Sequence, residues 1–326
     1  MLYKTFIAAV LASAVLTACL AAQQASSREP LTGAWWTGPM LAPNASTLPR
    51  GHLLFEPYLY DVSTQGFYNS SGTRVRAPHE NGFGNLSYLN YGLFDKFTVG
   101  LIPTFGYNEP SNGPGSAGIG VGDLTVQAQY RLHLFHEGSS VPTTSINVQE
   151  TLPTGRYDQL GSRPSDGFGA GAFSTTIGLY TQTFFWMPNG RILRVRFNIS
   201  PAFSRSATVR DVSVYGTTQG FRGHAKPGAS ILFDAACEYS LTQRWVLATD
   251  VTFRDQANTS VSGYNLASPT TAVLLNSGSS RAWAVAPAIE YNVSSRLGFL
   301  LGTRLFPSGR NTSYSLTPAL AINYVH

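Results

Sequence analysis

Twelve segments of this chain, all from residue 51 onward, alternate large apolar residues with small or polar ones, and this period of two constrains the fold more than any other feature. In the segment 281–292, for example, Trp283 and Tyr291 fall on one parity and Glu290 falls on the other. A strand with this pattern has one apolar face and one polar face. The segments lie near residues 51–62, 83–94, 97–107, 122–134, 143–152, 172–185, 191–203, 228–241, 244–255, 281–292, 296–306 and 313–325.

Most of these segments are long enough for a tilted crossing of a bilayer, and the connections between them alternate in length. Short connections lie at 95–96, 136–142, 187–190, 242–243 and 293–295. Long connections rich in Gly, Ser and Asn lie at 63–82, 108–121, 153–171, 204–227 and 256–280, with a shorter sixth at 307–312. This pattern predicts an all-β, transmembrane antiparallel β-barrel of about 12 strands, with short periplasmic turns and longer extracellular loops, in the outer membrane of a Gram-negative bacterium.

The polar parity of the strands carries charged side chains that could not fill the dry core of a soluble sandwich or lipocalin-like barrel. A wet lumen accommodates them, with the apolar parity turned to lipid. Six acids and five arginines in this set predict little selection by ion sign, and about 12 strands predict a narrow passage. The predicted lumen-lining residues are Glu56, Asp123, Arg131, Arg194, Arg196, Asp234, Glu238, Asp250, Arg254, Glu290 and Arg304.

The composition supports a barrel and argues against other classes of protein. Charged residues make up 12% of the chain, about half of the share found in soluble domains. After the N-terminal region no apolar run of 18 residues occurs, which argues against a helical membrane protein. The net charge of +5 is small and scattered, so no nucleic-acid partner is expected.

The N-terminus predicts a secretory signal over residues 1–22, with Lys4 before a short apolar run. The sequence Leu-Thr-Ala-Cys that ends at Cys19 matches a bacterial lipobox, so Cys19 is a candidate lipidation site. Ordinary signal cleavage next to Cys19 is the alternative. The following segment, 23–50, has no strand pattern, and either a periplasmic tether or a plug inside the lumen fits it.

Motifs for catalysis or metal binding are weak in this sequence. The stretch GPGSAG at 113–118 matches a dinucleotide-binding fingerprint, but a strand follows it instead of a helix. His133 and His136 lie three residues apart beside a short turn, which on a strand puts them on opposite faces, and the chain contains neither HExxH nor GxSxG. The sequence therefore predicts no catalytic residue, no metal site and no cofactor.

Two stretches resemble signature segments of the outer-membrane proteins of the MetA-pathway phenol-degradation family. The stretch GIGVGDLTVQAQYRL, Gly118 to Leu132, resembles a strand of that family that starts with Gly-Asp, and LPTGRYD, Leu152 to Asp158, resembles the strand-end motif that follows. The resemblance implies a transporter barrel for hydrophobic or aromatic compounds. It carries no catalytic or ligand-binding residue onto this chain, and the terminal NYVH departs from the terminal Phe usual for assembly signals.

Three functional hypotheses follow from these features. The first is a passive, porin-like channel or transporter for small, hydrophobic or aromatic solutes. The second is a closed barrel with a structural, anchoring or surface-interaction role, and the third is a barrel enzyme acting on lipids. The expected partners are outer-membrane lipid, a small-molecule solute and the outer-membrane assembly machinery.

Overall fold

The computed structural model describes residues 28–326, so the predicted signal segment 1–22, with its candidate lipidation site Cys19, lies outside the described residues. Within 28–326, no helix is long and apolar enough to cross a membrane. Two short 3-10 helices occur, Leu31–Gly33 and Pro164–Asp166. The strands are β1 Leu53–Tyr68, β2 Arg74–Phe94, β3 Phe97–Ile102, β4 Thr104–Glu109, β5 Gly120–Val121, β6 Leu124–His133, β7 Thr143–Leu152, β8 Ser174–Trp186, β9 Ile192–Ser204, β10 Ala207–Arg210, β11 Phe221–Lys226, β12 Ser230–Ser240, β13 Trp245–Gln256, β14 Ser260–Asn265, β15 Ser268–Asn276, β16 Ser280–Asn292, β17 Leu297–Arg310 and β18 Thr312–Val325.

These strands form a closed antiparallel barrel, which confirms the predicted fold class. Its wall has twelve strand positions, each of which we call a stave. The first strand pairs with β2 on one side and with β18 on the other, and this pairing closes the sheet. Ten staves are single strands, whereas β3 with β4 and β5 with β6 each make one interrupted stave. Closure leaves no open edge in the wall, so every stave can satisfy its backbone groups in a bilayer.

The two parities of each strand face different surroundings, as the alternation predicts. Leu59, Phe94 and Leu301 are about 60% exposed on the outer surface, at 59%, 61% and 59%. Trp245 and Tyr291 contact each other at the periplasmic end of neighbouring strands, with 4.6 Å between ring centroids, where an interfacial aromatic girdle is expected. The outer surface therefore suits lipid, and the polar parity faces inward.

The long connections contain more regular structure than the sequence predicts. The β1–β2 hairpin continues to residues 68 and 74, through most of the expected loop 63–82. The expected loops 204–227 and 256–280 contribute β10, β11, β14 and β15 to a separate four-stranded sheet. Val209, Phe221 and Val261 form its buried core, and we call this element the outer sheet.

Candidate functional site

The segment 28–50 lies inside the periplasmic half of the barrel, and its first residues are fixed to the periplasmic turns. The indole Nε1 of Trp186 donates to the Glu29 carbonyl oxygen at 2.7 Å, and the Arg191 guanidinium pairs with the Glu29 carboxylate at 3.0 Å. Further along, the Trp35 N–H donates to the Gln243 carbonyl oxygen at 2.8 Å. These bonds hold the segment at the periplasmic opening.

Acidic side chains of the wall accept hydrogen bonds from the backbone of this segment. The Thr37 N–H donates to Glu290 Oε2 at 2.7 Å, and the Ala42 N–H donates to Asp250 Oδ1 at 2.9 Å. Both carboxylates are fully buried. An irregular segment has no ladder partner for its N–H groups, so buried acceptors of this kind are needed to hold it inside the barrel.

A buried ionic cluster lies beside these acceptors. The Arg194 Nε donates to Glu238 Oε2 at 2.6 Å, a second Arg194 nitrogen contacts Oε1 of the same carboxylate, and the Arg196 Nε lies 3.2 Å from Glu238 Oε2. Arg196 also donates through Nη1 to the Ala42 carbonyl oxygen at 2.6 Å, and the Arg194 guanidinium lies 4.6 Å from the Trp36 ring centroid. The cluster therefore links two wall strands to the segment 28–50.

The segment turns near Met40 and leaves along β2 and β3. Met40 packs against Tyr58, Leu300 and the alanines of β16 and β18. On the way out, the Leu48 N–H donates to Thr98 Oγ1 at 2.9 Å. We call residues 28–50 the inserted segment.

Glycines in the wall make room for the inserted segment. A Cβ built on Gly92 would lie 2.1 Å from the Pro49 carbonyl oxygen, and one built on Gly298 would lie 2.0 Å from Thr37 Oγ1. Sequence reasoning did not single out these positions. Both fall on the lumen parity of long strands, and a glycine there is the signal that could have indicated a closely packed backbone inside the barrel.

Two adjacent cavities lie on the extracellular side of the inserted segment. The outer cavity, of about 720 Å³, is bounded by the barrel wall and by loop residues 110–114 and 162–168. The inner chamber, of about 320 Å³, has Met40 and Leu41 of the inserted segment among its lining residues. Tyr60 and Val62 line both cavities, which are therefore adjacent.

The structure distributes the predicted lumen-lining charges unevenly along the barrel. Glu56, Asp234, Glu238, Asp250 and Glu290 lie in the region of the inserted segment with Arg194 and Arg196. Arg131 lies opposite Ser145 at the periplasmic end of β6. Arg254 and Arg304 lie further toward the extracellular side, and within residues 28–326 neither has a carboxylate within 4.0 Å. A nearly equal count of acids and arginines therefore does not give an evenly balanced lumen.

Asp123, the remaining predicted residue, lies at the extracellular rim and binds backbone rather than solute. Its two carboxylate oxygens accept from the Gly155 N–H at 2.9 Å and the Ala170 N–H at 2.7 Å. Next to it, Thr154 Oγ1 donates to the Gly122 carbonyl oxygen at 3.0 Å. These bonds join the Gly-Asp stretch directly to the Leu-Pro-Thr-Gly stretch, the two stretches that carry the family resemblance.

The outer sheet is held by a polar network of its own. The Arg222 Nη1 and the Gly220 N–H both donate to Asp211 Oδ1 at 2.9 Å, and these hydrogen bonds lower the pKa of the Asp211 carboxyl below its usual value of 3.8. Tyr215 donates to the Ala170 carbonyl oxygen, and burial, with the nearby Asp123 charge, raises the pKa of Tyr215 to about 12. Its phenol therefore stays protonated as a donor at physiological pH.

Comparisons with known proteins give a family and a fold. The model of the family described as "Putative MetA-pathway of phenol degradation" matches residues 60–320. No curated protein matches the chain. An outer membrane channel from Pseudomonas putida has a similar structure, at 15% identity and a TM-score of 0.65, covering 88% of this chain and 100% of that one. The β domain of the Bordetella autotransporter BrkA is less similar, at 9% identity and a TM-score of 0.45, covering 85% and 100%.

Proposed function

This chain belongs to the family described as "Putative MetA-pathway of phenol degradation", and from that premise we propose that it is a passive outer-membrane channel for small, hydrophobic or aromatic molecules. The fold agrees with this role, since a closed barrel with an apolar exterior belongs in the outer membrane of a Gram-negative bacterium. The observation that carries the proposal is the pair of adjacent cavities, the outer cavity and the inner chamber. Together they extend from the extracellular loops to Met40 and Leu41.

The inserted segment acts in this proposal as a plug, so a solute that reaches the inner chamber passes to the periplasm only when the segment moves. Its backbone bonds to Glu290 and Asp250 support this role, because they hold an irregular chain across the lumen.

The signal peptide 1–22 and the lipidation of Cys19 remain predictions, as do the contacts with outer-membrane lipid and assembly machinery. A lipidated Cys19 would hold the chain at the inner leaflet, just before the plug.

A transport assay tests the channel directly. The protein is expressed in a Gram-negative host that lacks general porins, and uptake of labelled toluene is compared with that of cells carrying the empty vector. We expect faster uptake with the protein, and faster still after deletion of residues 30–49. Uptake equal to the empty-vector rate in both cases, with a folded and heat-modifiable barrel, would contradict the proposal.

A surface-interaction role is the second candidate, and the outer sheet is the observation that favours it. A four-stranded sheet with its own buried core is more regular than a loop needs to be to connect two staves. Under this alternative the barrel stays closed when residues 30–49 are deleted.

We propose no enzymatic role, because the family resemblance identifies no catalytic residue in this chain.

A further inference from the structure

The inner chamber contains two buried polar atoms that lack a partner. Arg304 and Thr317 are paired across β17 and β18, and both side chains line the chamber. Within residues 28–326, neither Arg304 Nε nor Thr317 Oγ1 has a hydrogen-bond partner, although both atoms are buried. An unpaired buried donor is costly, so two side by side indicate a position for an acceptor that the protein does not supply.

The charges around the chamber favour an anion as that acceptor. Arg304 differs from Arg194 and Arg196, which both pair with the Glu238 carboxylate. None of the ten residues that line the chamber is acidic, and Arg254 is close enough to Arg304 to add to the positive potential. A guanidinium group with no carboxylate partner suits the planar oxygens of a carboxylate.

The rest of the chamber suits an aromatic ring. Tyr58 and Tyr88 meet edge to face with 6.2 Å between centroids, and Leu86 and Met40 complete an apolar wall. The volume of about 320 Å³ is roughly twice that of a cavity known to hold benzene. The Tyr58 hydroxyl donates to Glu56 Oε1 at 3.1 Å, and Glu56 lies beside the inserted segment rather than in the chamber lining. A bound anion would therefore place its ring toward Met40 and its charged group toward Arg304.

We propose that the inner chamber is a binding subsite for a monoaromatic carboxylate, whose ring packs among Tyr58, Tyr88 and Met40 and whose oxygens accept from Arg304 and Thr317. The inference rests on the proposed function and narrows its substrate class from aromatic molecules in general to aromatic anions. It also assigns Arg304 the role of binding an anion, which the nearly equal numbers of acidic and basic residues in the lumen do not suggest.

The test is titration calorimetry on the full-length mature protein in lipid nanodiscs, with empty nanodiscs titrated to correct for partitioning into lipid. The probes are benzoate, benzyl alcohol and benzylammonium, which share a ring and differ in charge. We expect benzoate to bind about tenfold or more tightly than benzyl alcohol, because a hydrogen bond to a charged group exceeds one to a neutral group by about that factor. Benzylammonium should bind more weakly than either.

Variants separate a specific site from general attraction. Arg304→Gln should reduce benzoate affinity to that of benzyl alcohol and leave benzyl alcohol unchanged, and Thr317→Val should give a smaller loss for benzoate alone. Arg281→Gln is the matched control, because Arg281 lies at the extracellular end of β16 and pairs there with Asp255 at 2.9 Å. Each variant is checked for heat-modifiable migration before titration.

Three outcomes would overturn the subsite: equal binding of benzoate and benzyl alcohol, equal loss of both probes in Arg304→Gln, or no binding of any probe. A loss of benzoate binding in Arg281→Gln equal to that in Arg304→Gln would do the same. The channel is tested separately, by uptake. Toluene uptake without benzoate preference would remove the subsite and keep the channel, whereas benzoate binding without uptake would keep the subsite and remove the channel.

Discussion

At the scale of residues, the closed state depends on a few wall positions that fit an irregular chain. Glu290 and Asp250 accept from its backbone, and Gly92 leaves room for the Pro49 carbonyl. Each position acts on one atom of the segment. Single substitutions should therefore change how firmly the segment is held without affecting the barrel wall.

Gly92→Val is expected to dislodge the inserted segment, because the new side chain would begin 2.1 Å from the Pro49 carbonyl oxygen. Limited proteolysis of the reconstituted protein should then cut within residues 28–50 much faster than in the wild type. Gly118→Val is the control, since a Cβ on Gly118 meets nothing within 4 Å. Equal protection of the segment in Gly92→Val and wild type would show that the close approach is unimportant.

Arg194→Met should destabilise the folded protein by about 1.5–3 kcal/mol, because the buried Glu238 carboxylate loses its hydrogen bonds to Arg194 and keeps Arg196 as its partner. The double change Arg194→Met with Glu238→Leu should be less stable still, by about 3–5 kcal/mol relative to the wild type, because it leaves the buried Arg196 guanidinium without its carboxylate. Denaturant unfolding in micelles measures both. Arg191→Met is the control, because its partly exposed pair with Glu29 is worth about 1 kcal/mol or less. A double variant as unstable as the single one would contradict this account.

At the scale of elements, the extracellular loops are ordered by carboxylates that bind backbone N–H groups. Asp123 joins the start of β6 to the loop 153–171, and Asp211 joins the two ends of the turn between β10 and β11. An ionised carboxylate accepts such hydrogen bonds more strongly than a protonated one. The order of the turn that Asp211 joins should therefore depend on pH.

The outer sheet is expected to loosen in acid. The folded-state pKa of Asp211 lies below its usual value of 3.8, so its contribution is complete above that value and is lost as pH falls through the lower folded-state pKa. The rate of pepsin cleavage between residues 211 and 222 should rise steeply below about pH 4. This rise should exceed the rise in the rate at which pepsin cleaves an unfolded control peptide over the same pH range. Asp211→Asn should be cleaved at a rate that no longer follows this extra pH dependence. An unchanged profile in that variant would assign the effect to another group.

The elements also mark the limit of what the sequence could predict. The twelve staves were predictable because each buries one parity and exposes the other, and their number and order are confirmed. Their ends were predicted less well, since β1 and β2 run into the expected loop 63–82 and β17 and β18 occupy most of the expected loop 307–312. The outer sheet was missed because β10 has four residues and β11 and β14 have six each, too short for a period to stand out among glycines and serines. Residues 28–50 show no hydrophobic period, so the sequence did not predict their path. Contacts with Glu290, Asp250 and Gly92 determine that path.

At the scale of the whole molecule, the barrel combines a permanent wall with an insert whose contacts are individually breakable. The wall consists of continuous backbone ladders, whereas the insert is held by separate side-chain to backbone bonds and by the packing of Met40. Opening therefore requires the insert to move and leaves the wall intact. On this account the extracellular cavities receive the solute, and the insert controls its passage to the periplasm.

Single-channel conductance in planar bilayers, with and without residues 30–49, tests this central claim most directly. The intact protein should be closed or show only small, brief openings, because residues 28–50 fill the periplasmic half of the lumen. The deleted protein, if it remains heat-modifiable, should show discrete openings of several-fold larger conductance. Identical conductance of the two folded proteins, whether open or closed, would contradict the account.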